Sequence, residues 1–178
     1  MPLSFLYLFS WVLFGVLFRL APHVANYSPL LMMCLWSSAF WRKSTALVLT
    51  LLILFLSDVG LHWICHYPLF GAWSVFDYSG FLMITLYGFH RFATTLLFAS
   101  MVMANLFLWM WTNFGVWLGP YYPHTLAGLL QCYWMALPFL KNSIISSLMM
   151  FLLWGKSIWN KFSLRSPHNL TEYPTYPF

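Results

Sequence analysis

The sequence predicts an all-α integral membrane protein: a six-transmembrane-helix bundle with one extra short helix that lies on the outer face or is re-entrant. Three observations lead there. The composition is 62% hydrophobic and 6% charged, too little charge for a soluble domain of this size to cover its surface with polar groups. Six apolar stretches of near-membrane length are separated by short polar breaks, and most of the Lys and Arg fall on alternate breaks. Exposed backbone cannot be satisfied in lipid, so the stretches must be helices, and the alternating strands of a barrel are absent.

The elements follow in order. Residues 2–18 form the first span. No basic region precedes this apolar run and Arg19 follows it, so it reads as a retained span and not as a signal peptide. Pro22, His23, Asn26 and Pro29 then spell a loop and a helix start. The second span covers residues 29–41 and the third 44–57 or a little beyond, separated by Arg42-Lys43. A polar, aromatic loop is expected over 58–73. The fourth span, 74–88, carries Asp77 near its beginning, and His90-Arg91 breaks it from the fifth, 92–111. A Gly/Pro/Tyr-rich loop over 112–125 leads to an apolar segment, 126–137, closed by Pro138, and the sixth span covers 142–158. Several runs fall short of the ~20 residues that cross a ~30 Å hydrocarbon core, so polar helix ends and local thinning must supply the difference. Residues 1–165 make one domain. The polar, Pro-rich residues 166–178 read as a disordered cytoplasmic tail.

Charge orients the bundle. With six spans and a cytoplasmic N-terminus, the inside receives Arg42, Lys43, Arg91, Lys156, Lys161 and Arg165, and the outside keeps Arg19 and Lys141. Counting 126–137 as a further span would move the last three outside and abolish the bias. Both termini are therefore expected to be cytoplasmic. The net charge of +5 does not point to nucleic acid, because the basic residues are scattered singly or as one pair. Three cysteines without a CxxC motif give no disulfide framework.

This topology gathers polar side chains at one side. Asp58 and Asp77, the acids outside the tail, fall at outer span ends together with Arg19, His23, Asn26, Asn113, Tyr122 and Asn142. Ionisable groups in membrane segments are costly and usually line a cavity or water path. In such an outward-facing pocket Asp58 and Asp77 would accept hydrogen bonds or counter a cation, and Arg19 would pair an anionic group. Asn113 and Asn142 would bond either way, while Trp117 and Tyr122 would stack on a flat ligand. Other strings carry less. Trp154-Gly-Lys-Ser157 lacks the upstream glycine of a phosphate-binding loop, since Met150 stands there. His62 and His66 have ligand-like spacing, but Trp63 stands where a zincin has its Glu. Gly115-Val-Trp-Leu-Gly119 reads as a turn in an outer loop. Ser100, Ala104 and Asn105 read as a close-packing face, with Asn105 bonding across helices. No nucleophile–base pair or redox motif appears, so no enzyme activity, cofactor or metal is expected.

The string Thr112-Asn-Phe-Gly-Val-Trp-Leu118, with Tyr122-Pro123, Thr125, Gly128-Leu129, Cys132-Tyr133, Ala136-Leu-Pro-Phe139 and Asn142, carries a resemblance. Upstream, Arg19-Leu-Ala-Pro-His23, Asn26-Tyr-Ser-Pro29 and Ser57-Asp58 fit the same pattern. The chain resembles an uncharacterised bacterial family of membrane proteins described as transport proteins, itself similar to the substrate-binding (S) components of energy-coupling factor (ECF) transporters. The resemblance implies capture of a micronutrient, a vitamin or related small molecule, beneath outer loops. It also implies partners: a transmembrane coupling subunit and two ATPase subunits. The sequence departs from S components at one point, because Ser10 is followed four residues on by Phe14, leaving Gly15 as the small residue for docking. The alternative is a stand-alone ion- or proton-coupled permease in which Asp58 or Asp77 titrates.

Overall fold

In the computed structural model, which describes residues 3–21, 24–87 and 94–163, the apolar runs fold as seven α-helices without a strand. They are α1 (Leu3–Leu20), α2 (Leu30–Phe40), α3 (Lys43–Cys65), α4 (Ala72–Tyr87), α5 (Thr94–Trp117), α6 (Leu126–Met135) and α7 (Leu137–Ser163). His23, the His90-Arg91 break and the tail over 166–178 lie outside the described residues.

The shortest of the expected spans becomes the axis. At 11 residues α2 is about 17 Å long, and it is apolar on every side, the mark of a helix that belongs inside. Residues 30–38 are all buried, and α1, α3, α4, α5 and α7 each pack against α2. Met33 and Cys34 meet Ile53 and Leu54 of α3 and Met101 of α5 in the core. The hydroxyls of Ser37 and Ser38 donate to the carbonyls of Cys34 and Leu35 at 2.9 and 2.7 Å, so they are satisfied within the helix.

Around this axis α1 and α3 run side by side in the same direction. Two glycines permit the approach: a Cβ at Gly15 would stand 2.9 Å from Ile53 Cγ2, and one at Gly60 would stand 2.7 Å from Leu20 Cδ2. Polar ties reinforce the apolar packing. Thr50 and Thr85 share a hydrogen bond of 3.0 Å between α3 and α4. Asn105 of α5 donates to Ser147 of α7 at 3.1 Å, the cross-helix role expected of it.

Several boundaries differ from the sequence expectation, each for a local reason. Helix α3 continues past residue 57 through Asp58 and His62, and it ends only where His66 turns left-handed at φ 56°. The polar loop shrinks accordingly to residues 66–71. Helix α5 likewise runs to Trp117, because Thr112 and Asn113 bond back to the carbonyls of Leu108 and Trp109 at 2.8 and 2.7 Å instead of leaving the helix. Gly115 is therefore not in a turn: it lies inside α5, where the Phe76 ring rests against it. Helix α7 begins at Leu137 and not at 142, with Pro138 in its first turn, where the missing N–H has no helical partner to lose. It meets α6 at a bend of 41°.

By length and composition α3 can cross a membrane alone, and the bent pair of α6 with residues 137–153 would make a second span. Overpacking between close helices costs about 1–3 kcal/mol. Gly60→Leu should therefore lower the thermal unfolding midpoint of the purified protein, and Gly60→Ala should lower it less. Equal midpoints for all three proteins would remove the close α1–α3 contact as a determinant of stability.

Candidate functional site

Arg19 stands in the last turn of α1 and reaches across to α3. One terminal nitrogen, Nη1, lies 2.8 Å from Asp58 Oδ1, and it also donates to Ser57 Oγ at 2.7 Å and to the Leu54 carbonyl at 3.3 Å. The other carboxylate oxygen, Asp58 Oδ2, accepts from the Tyr78 hydroxyl of α4 at 2.8 Å. The side chains are 18% and 6% exposed. Removing two charges from water is costly, and close geometry with extra donors on the carboxylate is the condition under which such a pair holds.

Beside this pair lies a cavity of about 140 Å³. Arg19 forms part of its wall, with Asn26 and Ser28 from the segment after α1, and Leu30 and Leu31 from the first turn of α2. Helix α4 contributes Asp77 and Phe81, and α7 contributes Phe139, Leu140 and Ser143. From α5 come Asn105, Leu108, Trp109 and Thr112, whose i, i+3, i+4, i+7 spacing puts them on one helical face. The two carboxylates near this cavity differ. Asp58 is fully engaged, whereas Asp77 makes no hydrogen bond or ion pair among the described residues.

The wall is held by a second set of bonds. Trp109 Nε1 donates to the Ala136 carbonyl at the α6–α7 bend at 2.9 Å, which fixes the indole. Asn105 accepts from Ser143 Oγ at 2.6 Å on Oδ1 and donates through Nδ2 to the Met101 carbonyl at 2.8 Å. The segment over residues 24–29 is tied to α7: Asn142 Nδ2 donates to the Ala25 carbonyl and Ser146 Oγ to the Ser28 carbonyl, both at 3.0 Å. Within it Asn26 takes the left-handed φ of 60°, a conformation that Asn tolerates better than most residues.

Of the residues singled out in the sequence, Arg19, Asn26 and Asp77 line this cavity, and Asp58 stands behind Arg19. Asn142 tethers the bordering segment. Asn113, Trp117 and Tyr122 are not in the wall. The Asn113 carbonyl receives Cys132 Sγ at 3.4 Å, and Trp117 bonds the Pro123 carbonyl at 3.0 Å with its ring against His124. His23 lies outside the described residues. Residues that the sequence reading did not assign to a site are Ser28, Phe81, Asn105, Trp109, Thr112 and Ser143. Two signals would have found some of them: the single-face spacing on α5, and Ser143, Ser146 and Ser147 at i, i+3, i+4 on α7. Among the described residues no three His, Cys, Asp or Glu side chains converge as a metal site. His62 is occupied by the Tyr67 carbonyl at 2.7 Å.

The geometry is that of an all-helical bundle with an apolar axis and a charged cavity beside one end of it. The chain belongs to a family of unknown function (DUF6580), whose profile matches residues 2–163. That description assigns no activity, and no curated protein or solved structure matches the chain.

Breaking a buried pair by removing one partner costs about 3–5 kcal/mol, because the other charge is left uncompensated. Arg19→Met and Asp58→Leu should each destabilise the protein by that order in thermal or denaturant unfolding. The double variant should recover most of the loss. A double variant as unstable as the sum of the singles would show that the two side chains act independently.

Proposed function

We propose that this is a multi-pass membrane protein of six spans that captures a small molecule in the cavity beside Arg19 and Asp77, acting as the substrate-binding component of an importer. The observation that carries this reading is a polar, charged cavity inside a bundle whose outer faces are apolar. On α3, Val48, Leu51, Leu52, Phe55 and Leu56 are all exposed, as are Met103 and Met110 on α5 and Leu152 and Leu153 on α7. Water is a poor solvent for such faces, and lipid is a good one. Short helices fit this setting, since α2 is enclosed by its neighbours and need not span by itself.

The cavity draws on the end of α1, the start of α2 and the start of α7. In the six-span topology argued from charge these ends face outward, so the ligand would enter from outside. An S-component-like role, which the sequence resemblance implies, would use that direction and would need no phosphate-binding loop in this chain. A transmembrane coupling subunit and two ATPases would supply the energy. The cavity volume suits a small ligand better than a whole vitamin, since ordinary pockets for drug-sized molecules run from about 300 Å³ upward.

One observation favours a second reading. Asp77, which no described residue bonds, is the kind of ionisable group that carries a proton in a coupled permease. The two readings separate in liposomes containing only the purified chain. Capture without coupling predicts binding from the outer side and no accumulation; accumulation driven by an imposed proton or sodium gradient would establish the permease instead. Topology is checked in the same cells: a reporter at Pro120 should be external and reporters after Arg91 and Arg165 cytoplasmic. A cytoplasmic Pro120 would remove the six-span arrangement.

A further inference from the structure

We infer that the cavity takes a small organic ammonium compound, with Asp77 as its counter-ion and the Trp109 ring as the face against which the cation lies. The inference rests on the proposed capture of a small molecule and names the chemical class of that molecule.

Charge balance comes first. Arg19 is the cation among the described wall residues, and its charge is already met by Asp58 at 2.8 Å. Asp58 in turn has both oxygens engaged, by Arg19 and by Tyr78. What remains is the Asp77 carboxylate, which no described side chain pairs. Among the described residues the wall therefore holds one carboxylate without a hydrogen-bonded or ion-paired side chain.

Size and surface narrow the class. A volume of about 140 Å³ matches the cavities that hold a benzene-scale molecule, roughly six heavy atoms. Phe81, Trp109 and Phe139 supply aromatic surface, and indole is the most favourable face for a cation. Because Trp109 Nε1 is anchored to the Ala136 carbonyl, the ring is held in place before a ligand arrives. An inorganic cation would want converging oxygens, and Asp77 is the one carboxylate in the described wall. Ser28 and Thr112 stand in the same wall and can bond a hydroxyl on the ligand.

The test uses the full-length protein in nanodiscs with three probes of one shape and different charge: choline, its uncharged isostere 3,3-dimethylbutanol, and 3,3-dimethylbutyrate. Equilibrium binding is measured on the wild type, Asp77→Asn and Asp77→Glu, each checked for helical content by circular dichroism. Choline should bind wild type and Asp77→Glu, and at least tenfold more weakly to Asp77→Asn, while the uncharged probe should not distinguish the three proteins. The carboxylate should bind none of them. Equal binding of choline and 3,3-dimethylbutanol, binding of the carboxylate, or choline binding unchanged in Asp77→Asn would overturn the ammonium assignment and leave small-molecule capture standing. So would displacement of choline by sodium ions at equal potency, which would reassign the cavity to an inorganic cation. If no probe binds, the assignment falls. If mass spectrometry of the purified protein also finds no retained small molecule, the capture reading falls with it.

Discussion

A helix too short to cross a bilayer, and too apolar to face water, governs the arrangement of everything around it. The 11 residues of α2 reach about half of a ~30 Å hydrocarbon core, and residues 30–38 are buried on every side. The other helices must therefore enclose it, and five of them do. Enclosure has two consequences. It demands close approach, which Gly15 allows by admitting Ile53 and Met33 to the α1 backbone. It also leaves a helix start, Leu30 and Leu31, inside the protein, where longer neighbours continue past it. The cavity forms at that start. The cavity thus follows from a mismatch in helix length, with no separate domain needed to create it.

The polar groups around the cavity divide into those that hold the bundle and those that are available. Asp58 belongs to the first kind: one oxygen is held by Arg19 and the other by Tyr78, so α1, α3 and α4 meet at a single carboxylate. Asn105 belongs there too, since Ser143 and Ser147 bind its amide from α7. Asp77 belongs to the second kind. It stands part-exposed in the cavity wall and makes no hydrogen bond or ion pair with a described side chain.

Much of this was legible in the sequence, and the limits have physical reasons. Apolar periodicity and the Pro, Gly and basic breaks marked all seven helices, including the extra segment 126–137, because lipid-compatible runs are long and their interruptions are abrupt. Helix ends were less legible. Asp58, His62, Thr112 and Asn113 look like loop residues by type, yet they stay helical because Arg19 satisfies Asp58, and Thr112 and Asn113 bond to their own backbone. The same cause limited the site. Polarity picks out Arg19, Asn26 and Asp77, which line the cavity, and equally Asn113 and Trp117, which are spent on local bonds. Phe81 and Trp109 were invisible for the opposite reason, since in a chain with 11 Trp and 18 Phe an aromatic residue carries no signal by itself. Register does not separate Asn113 either, since it lies one turn beyond Trp109 on nearly the same face, and its amide is spent on the Trp109 carbonyl.

The packing of α1 links Gly15, in mid-helix, to the ion pair made by Arg19 in its last turn. The open side of Gly15 is already filled by Ile53 and Met33, so a partner helix cannot use it without separating α1 from α3. That separation would also pull on the Arg19–Asp58 pair at the far end of the same two helices. The surface still free on this side is the apolar crevice between Leu8, Phe9 and Val12 of α1 and Val48, Leu52 and Leu56 of α3, which lipid chains can fill. Any separation of α1 from α3 would therefore disturb Arg19, a wall residue of the cavity.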